Sequence, residues 1–267
     1  MKKQLLVIMA LALLIVMCKT VPLTGRKGLN LISSSEINQL SFQQYEQLKK
    51  ESTLCTDQVK VNQVKSVGVR IQHAVENYLN QNGYSDLLEG FEWEFILIED
   101  PTVNAFCMPG GKVAFYTGIL PYCQDENGIA VVMGHEVAHA IAQHGNERMS
   151  QALLQQLGGV ALSVALAQEP EQTQALFGQA YGLGAHYGVM LPFSRKHESE
   201  ADELGLYFMA MAGYDPQTAP VFWQRMSQSG GQKPPELMST HPSDETRIAN
   251  LNKHMPKAME YYNMAKK

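Results

Sequence analysis

The stretch His135-Glu136-Val137-Ala138-His139 constrains this chain more than any other, because it sets two histidines four residues apart inside an otherwise uncharged segment. At 100° per residue, helix positions four apart differ by about 40° around the axis, so both imidazoles leave one face and can share one ion. Glu136 stands about 100° round from His135, beside such an ion, where a carboxylate can take a proton from a metal-bound water. Val131, Val132, Met133, Gly134, Val137, Ala138, Ala140, Ile141 and Ala142 are all uncharged. A helix of that composition is buried, and paired buried imidazoles with no ligand would be costly. The fold therefore has to bury this helix and bring a third protein ligand to it.

The metzincin pattern would supply that ligand from a glycine and a histidine three and six residues beyond His139, but Ala142 and Gly145 stand there, which excludes that class. His144 lies about 180° from His135 on an ideal helix, so a capping or surface role is expected for it. The better source is Ser194-Arg-Lys-His-Glu198-Ser-Glu200-Ala-Asp202-Glu203. Glu198 and Asp202 are four apart on a second helix, so Glu198 can bind the ion while Asp202 accepts the remaining N–H of a ligand histidine and fixes its tautomer. Glu200 and Glu203 lie about 160° and 140° away from Glu198, and they are expected to be solvated or paired surface charges.

Around these two helices the chain reads as mostly helical. Helices are expected from Ser33 to about Leu48 and from Asp57 to Leu79, the second with Val61, Val64, Val67, Ile71, Val75 and Tyr78 at spacings of three and four. Phe91 to Ile98 reads as a half-buried strand, and Asn104 to Met108, the turn Pro109-Gly110-Gly111 and Lys112 to Tyr116 as a hairpin. Further helices are expected at Asp125–His144, Met149–Ala167, Glu171–Tyr187, Ser194–Ala212, Pro216–Ser227 and Ser243–His254. The apolar run from Ala152 to Ala167 is short and carries Gln155 and Gln156, so it reads as a buried helix and not a membrane span. No fixed-period repeat is present, which excludes a solenoid.

With 267 residues, 45% of them hydrophobic, the chain can bury one sizeable core. Its 21 Lys+Arg against 26 Asp+Glu form no basic block, so neither nucleic acid nor nucleotide is expected as a partner. Met1-Lys2-Lys3 and the apolar run from Leu5 to Met17 have the form of an export signal. Ile15-Val16-Met17-Cys18 resembles a bacterial lipoprotein signal with Cys18 as the acylated residue, although Met17 is bulkier than the small residue usual there. Lys19 after that cysteine resembles the sorting pattern for the outer membrane. On this reading residues 1–17 are a signal peptide, 18–32 a tether and 33–267 one metallopeptidase domain, exported to the bacterial periplasm on a lipid anchor. Cys55, Cys107 and Cys123 permit at most one disulfide among three pairings, and sequence does not choose between a bridge and buried free thiols.

HEVAH followed by ESEAD, with NAFCMPGG before and THPSDETRI after, resembles the HtpX and CAAX-prenyl-endopeptidase family of gluzincin metallopeptidases. Thr24-Gly25-Arg26 through Ser33 and Ala180 through Arg195 resemble its soluble bacterial lipoprotein branch, related to the mitochondrial Oma protease. The resemblance implies an α+β, mostly helical zincin-like single domain with a small antiparallel-edged β-sheet beside the HExxH helix. It also implies one zinc ion per chain, His135, His139 and Glu198 as ligands, Glu136 as base, and protein or peptide substrates. In metallopeptidases of this kind the substrate lies along an exposed sheet edge, which makes Asn104, Ala105, Phe106 and Cys107 the candidate edge. A histidine in the Thr240-His241-Pro242 context can occupy the open zinc position in periplasmic relatives, so His241 is expected as such a latch or as a donor to the oxyanion. Arg247 reads more readily as a buried ion-pair partner than as a catalytic group.

The leading expectation is a zinc endopeptidase that cleaves misfolded or misassembled envelope proteins. The alternative is a zinc-containing chaperone or assembly factor with little or latent proteolysis, and Glu136 argues against it because a binding module has no need of a carboxylate beside its metal. A structural zinc protein would show four Cys or His ligands at short spacing, which this chain does not.

Overall fold

Polar caps open the helices where the sequence places them. In the computed structural model, which describes residues 18–157, 194–228, 237, 241 and 246–267, the Ser33 hydroxyl accepts from the Glu36 N–H and starts α1 (Ser34–Glu51). Asp57 caps α2 (Gln58–Gln81) by accepting from the N–H groups of Val59 and Lys60. One face of α2 is buried through Val64, Val67, Ile71, Val75 and Leu79, with Val61 and Tyr78 packed at its margin. Gly68 lets α2 lie directly on the sheet, since a Cβ there would fall 2.4 Å from the Phe95 ring.

The sheet has three strands, β3 (Glu94–Ile98), β4 (Ala105–Met108) and β5 (Lys112–Tyr116), in the order β3-β5-β4. The expected hairpin is present: β4 pairs antiparallel to β5 with Phe106 opposite Ala114 and Cys107 opposite Val113. The strand expected from Phe91 is shorter, and it runs parallel to β5. Tyr45 of α1 ties helix to sheet by donating its hydroxyl to the Val113 carbonyl at 2.6 Å. The sheet is therefore small, antiparallel at its β4 edge, and covered by helices.

A short helix, α3 (Leu120–Cys123), leads into α4 (Glu126–Ile141), which Asp125 caps by accepting from the Gly128 N–H. The helix expected to run on to His144 ends three residues earlier, and Gln143 takes a positive φ of 56° before α5 (His144–Leu157) begins. After the next described residues come α6 (Arg195–Met211), α7 (Thr218–Gln228) and α8 (Arg247–Ala265), the last longer than the sequence suggests. The expected helix at Glu171–Tyr187, the 158–167 part of the one expected from Met149, the 243–245 start of the last, the segment 1–17, the motif 180–193 short of Ser194 and Thr240 with Pro242 lie outside the described residues. Among the described residues no helix is long and apolar enough to cross a membrane.

α4 lies at the centre, against β4, α2, α7 and above all α6. At the α4–α6 crossing two glycines meet. A Cβ on Gly134 would sit 2.7 Å from the Gly205 carbonyl oxygen, and one on Gly205 would sit 2.7 Å from the His135 nitrogen. Main chain touches main chain there, as only glycine permits.

Residues 18–32, expected as a tether, are folded onto the domain. β1 (Cys18–Thr20) pairs antiparallel with β2 (Lys27–Leu29), and Val21, Leu31 and Ile32 are buried. Ser150 and Asn146 of α5 hold this segment by donating to or receiving from its backbone: the Leu31 N–H donates to the Ser150 hydroxyl, and the Asn146 amide donates to the Ile32 carbonyl. Apolar burial and paired backbone groups leave no reason for the segment to stay extended.

Candidate active site

His135, His139, Glu198 and His241 each turn one donor atom to a common point, and these atoms all lie within 4.8 Å of one another. The helical spacing accounts for the first two, and the glycine crossing brings Glu198 against them from α6. His135 Nε2 is 3.1 Å from His139 Nε2 and 3.3 Å from both His241 Nδ1 and Glu198 Oε2. Glu198 Oε1 is 3.3 Å from His139 Nε2 and 3.0 Å from His241 Nδ1. Donors bonded at about 2.0–2.2 Å to one tetrahedral ion stand roughly 3.3–3.6 Å apart, close to what is observed. Glu198 Oε2 is buried with no hydrogen-bond partner among the described residues. Three imidazoles, a carboxylate and an orphaned oxygen at these separations fit a divalent metal such as zinc.

Burial alone would raise Glu198, but His241, His139 and His135 outweigh it and hold the carboxyl well below its usual range. Burial pushes His139 well below the usual imidazole value, which keeps it neutral. Burial also works against protonation of His135, yet the Asp202 and Glu198 carboxylates raise it to about 9. Glu136 is raised by burial, with His241 and His135 pulling the other way, and its Oε1 lies 3.6 Å from His241 Nε2.

Asp202 stands as the spacing predicts, its Oδ1 3.0 Å from His135 Nδ1. The same oxygen accepts from Arg247 Nη2 at 2.6 Å, and the guanidinium lies 3.3 Å over the centre of the Trp223 ring. Arg247 is thus a buried ion-pair partner. Two expectations are overturned. His144 neither caps a helix nor faces solvent: it is fully buried, with Nδ1 2.9 Å from His139 Nδ1 and Nε2 2.9 Å from Glu200 Oε2. The ideal-helix angle fails because α4 stops at Ile141 and the turn at Gln143 brings the chain back. Glu200 is likewise buried, receiving Arg26 Nε at 2.6 Å and the Thr24 hydroxyl at 2.5 Å. Burial opposes its ionisation, but His144, Thr24 and Arg26 hold it down to about 2. The angle from Glu198 located only the ion-facing side of α6, while Glu200 on another side turns to Thr24, Arg26 and His144. Glu203 is a partly exposed, paired charge near His254, as expected.

Ala105, Phe106 and Cys107 lie on β4, an edge of the three-stranded sheet packed beside α4, with Asn104 just before it. Cys55, Cys107 and Cys123 are all free and buried. Burial, with Glu136 nearby, pushes the Cys107 thiol well up, which disfavours its thiolate. Cys18 pairs opposite Leu29 in the N-terminal hairpin.

A buried helix carrying two donors, crossed by a second carrying a carboxylate, defines a metallopeptidase scaffold. The chain belongs to peptidase family M48, whose model matches residues 68–255. It is 38% identical over 190 residues to the mitochondrial metalloendopeptidase OMA1 of Schizosaccharomyces pombe, covering 70% of this chain and 53% of that one. It is 32% identical over 252 residues to the human mitochondrial metalloendopeptidase OMA1, covering 91% and 47%. It is 26% identical over 238 residues to the beta-barrel assembly-enhancing protease of Escherichia coli, covering 86% and 46%. The chain spans about half the length of these relatives.

Proposed function

We propose that the chain is a zinc-dependent metalloendopeptidase that hydrolyses peptide bonds of misfolded or misassembled envelope proteins, and that it is exported and held at the outer membrane through Cys18. The observation that carries the enzymatic reading is the convergence of His135, His139 and Glu198 beside the buried carboxylate of Glu136. Zinc held there would supply the Lewis acid for the water and the scissile carbonyl. Glu136 takes the proton of the attacking water and returns it to the leaving amine, a task suited to a carboxyl raised by burial. The substrate backbone extends the sheet at β4, which needs few side-chain contacts and therefore suits unfolded chains. The envelope setting is supported by the export-like segment and by a bacterial relative whose name refers to β-barrel assembly.

His241 is read as a latch. Its Nδ1 is one of the four clustered donors, so it fills the position a substrate needs. Metal content and casein hydrolysis of wild type and Glu136→Gln test the enzymatic reading: the variant keeps zinc and loses activity. Equal activity at equal zinc would favour the chaperone alternative. His241→Ala should retain zinc and cleave faster, whereas a fall of roughly 10²–10³ would make His241 an oxyanion donor.

A further inference from the structure

The proposed function leaves unused a row of polar groups, half-buried at Thr24 and Arg26 and buried from Glu200 inward, that starts outside the stretch matched by the family model. Arg26 Nε and the Thr24 hydroxyl donate to Glu200, whose Oε2 is 2.9 Å from His144 Nε2, and His144 Nδ1 is 2.9 Å from His139 Nδ1. Arg26 Nη1 also reaches Glu147 of α5 at 2.7 Å. Protons can be placed along this row by elimination. A neutral imidazole puts its hydrogen where a carboxylate stands at hydrogen-bond distance, so His144, 2.9 Å from Glu200, is N–H at Nε2 and a lone pair at Nδ1. His139 has one hydrogen for two acceptors, His144 Nδ1 at 2.9 Å and Glu198 Oε1 at 3.3 Å. Two lone pairs facing each other at the shorter contact is the costlier arrangement, so the hydrogen sits at Nδ1 and the lone pair of Nε2 is left toward Glu198 and His135.

We infer that His144, Glu200 and Arg26 are positioning residues that fix the metal-binding tautomer of His139, and that the folded segment 18–32 thereby completes the metal site. This inference rests on the proposed ligand set. Without the acceptor at His144, the His139 proton gains by moving to Nε2, where Glu198 Oε1 waits 3.3 Å away. The histidine would then close the site by bonding to the carboxylate that should share its ion. Asp202 performs the same service for His135 within the two crossed helices, whereas His139 borrows its partner from the start of α5 and its anchor from the segment 18–32.

Nitrogen-15 NMR of the histidine rings and zinc titration against a chelator test this. Metal-free wild type should show His139 protonated at Nδ1, and His144→Phe should shift it toward Nε2 and raise the zinc Kd about 10–100-fold. Glu200→Gln still offers an oxygen to His144 Nε2 and should stay near wild type, while Glu200→Leu should weaken zinc as His144→Phe does. Arg26→Met should fall between. Unchanged tautomer and unchanged zinc Kd in His144→Phe would overturn the inference. A merely structural role would lower the Tm of metal-free and zinc-loaded protein alike and make Glu200→Gln as harmful as Glu200→Leu, and that result would also overturn it. If His144→Phe does not fold, the Glu200 pair decides. Wild type that binds no zinc would defeat the proposed function, while the tautomer read on metal-free protein judges the relay separately.

Discussion

The two histidines of one motif are held by different kinds of structure. On the His135 flank, Asp202, Arg247 and Trp223 come from helices packed on one another, and a guanidinium lies between a carboxylate and an indole face. On the His139 flank, a second histidine, a glutamate and an arginine carry the support outward to a β-hairpin formed by residues 18–29. The first flank is a matter of helix register and the second of long-range docking. Two donors of one cluster can therefore respond unequally to changes far from it.

Removing a donor tests whether the flanks serve one ion. His135→Ala, His139→Ala and Glu198→Ala should each abolish stoichiometric zinc and proteolysis, measured by metal analysis and casein cleavage, and stoichiometric zinc in any of them would break the comparison. Glu136 belongs to neither flank. Glu136→Gln should leave zinc in place while lowering the cleavage rate about 10²–10⁴-fold, and lost zinc would make Glu136 a ligand instead. Asp202→Ala should weaken zinc roughly 10–100-fold in chelator competition. It should also cost about 3–5 kcal/mol in denaturant unfolding, because the buried Arg247 loses its closest carboxylate. His144→Phe leaves Glu200 paired with Arg26, so a stability loss as large as that of Asp202→Ala would erase the distinction between flanks. Gly134→Ala, which strains the crossing shared by both flanks, should cost about 1–3 kcal/mol and weaken zinc modestly. No change in either would show that the helices part without consequence.

On the His135 flank the histidine and Asp202 were legible because they stand at four-residue intervals from partners on helices that run straight through them. His135, His139, Glu198 and Asp202 stand out by their four-residue spacing, while the cap at Ser33 and the β4–β5 hairpin are marked by their residue types. The His139 flank was not legible. A positive φ at Gln143 has no marker in the residue type, and past it the helical angles mean nothing. Glu200 read as a surface charge because one angle on a helix wheel describes one neighbour, while α6 has neighbours on several sides. Thr24 and Arg26 stood within a family-like motif, but 174 to 176 residues separate them from Glu200, and no local pattern carries that pairing. Arg247 could be guessed as an ion-pair partner, though its carboxylate could not be named.

The contact of Gly134 with Gly205 bears on how such a site withstands sequence drift. Ordinary helix crossings are set by side chains, and each exchange of a leucine for a valine or a methionine moves the axes a little. Here the distance between the helices is set by main-chain atoms. The surrounding core can exchange its residues for others of similar volume while His135 and Glu198 keep their separation. The most changeable part of the molecule is thereby uncoupled from the part least tolerant of change, at the expense of two positions where any side chain pushes the helices apart.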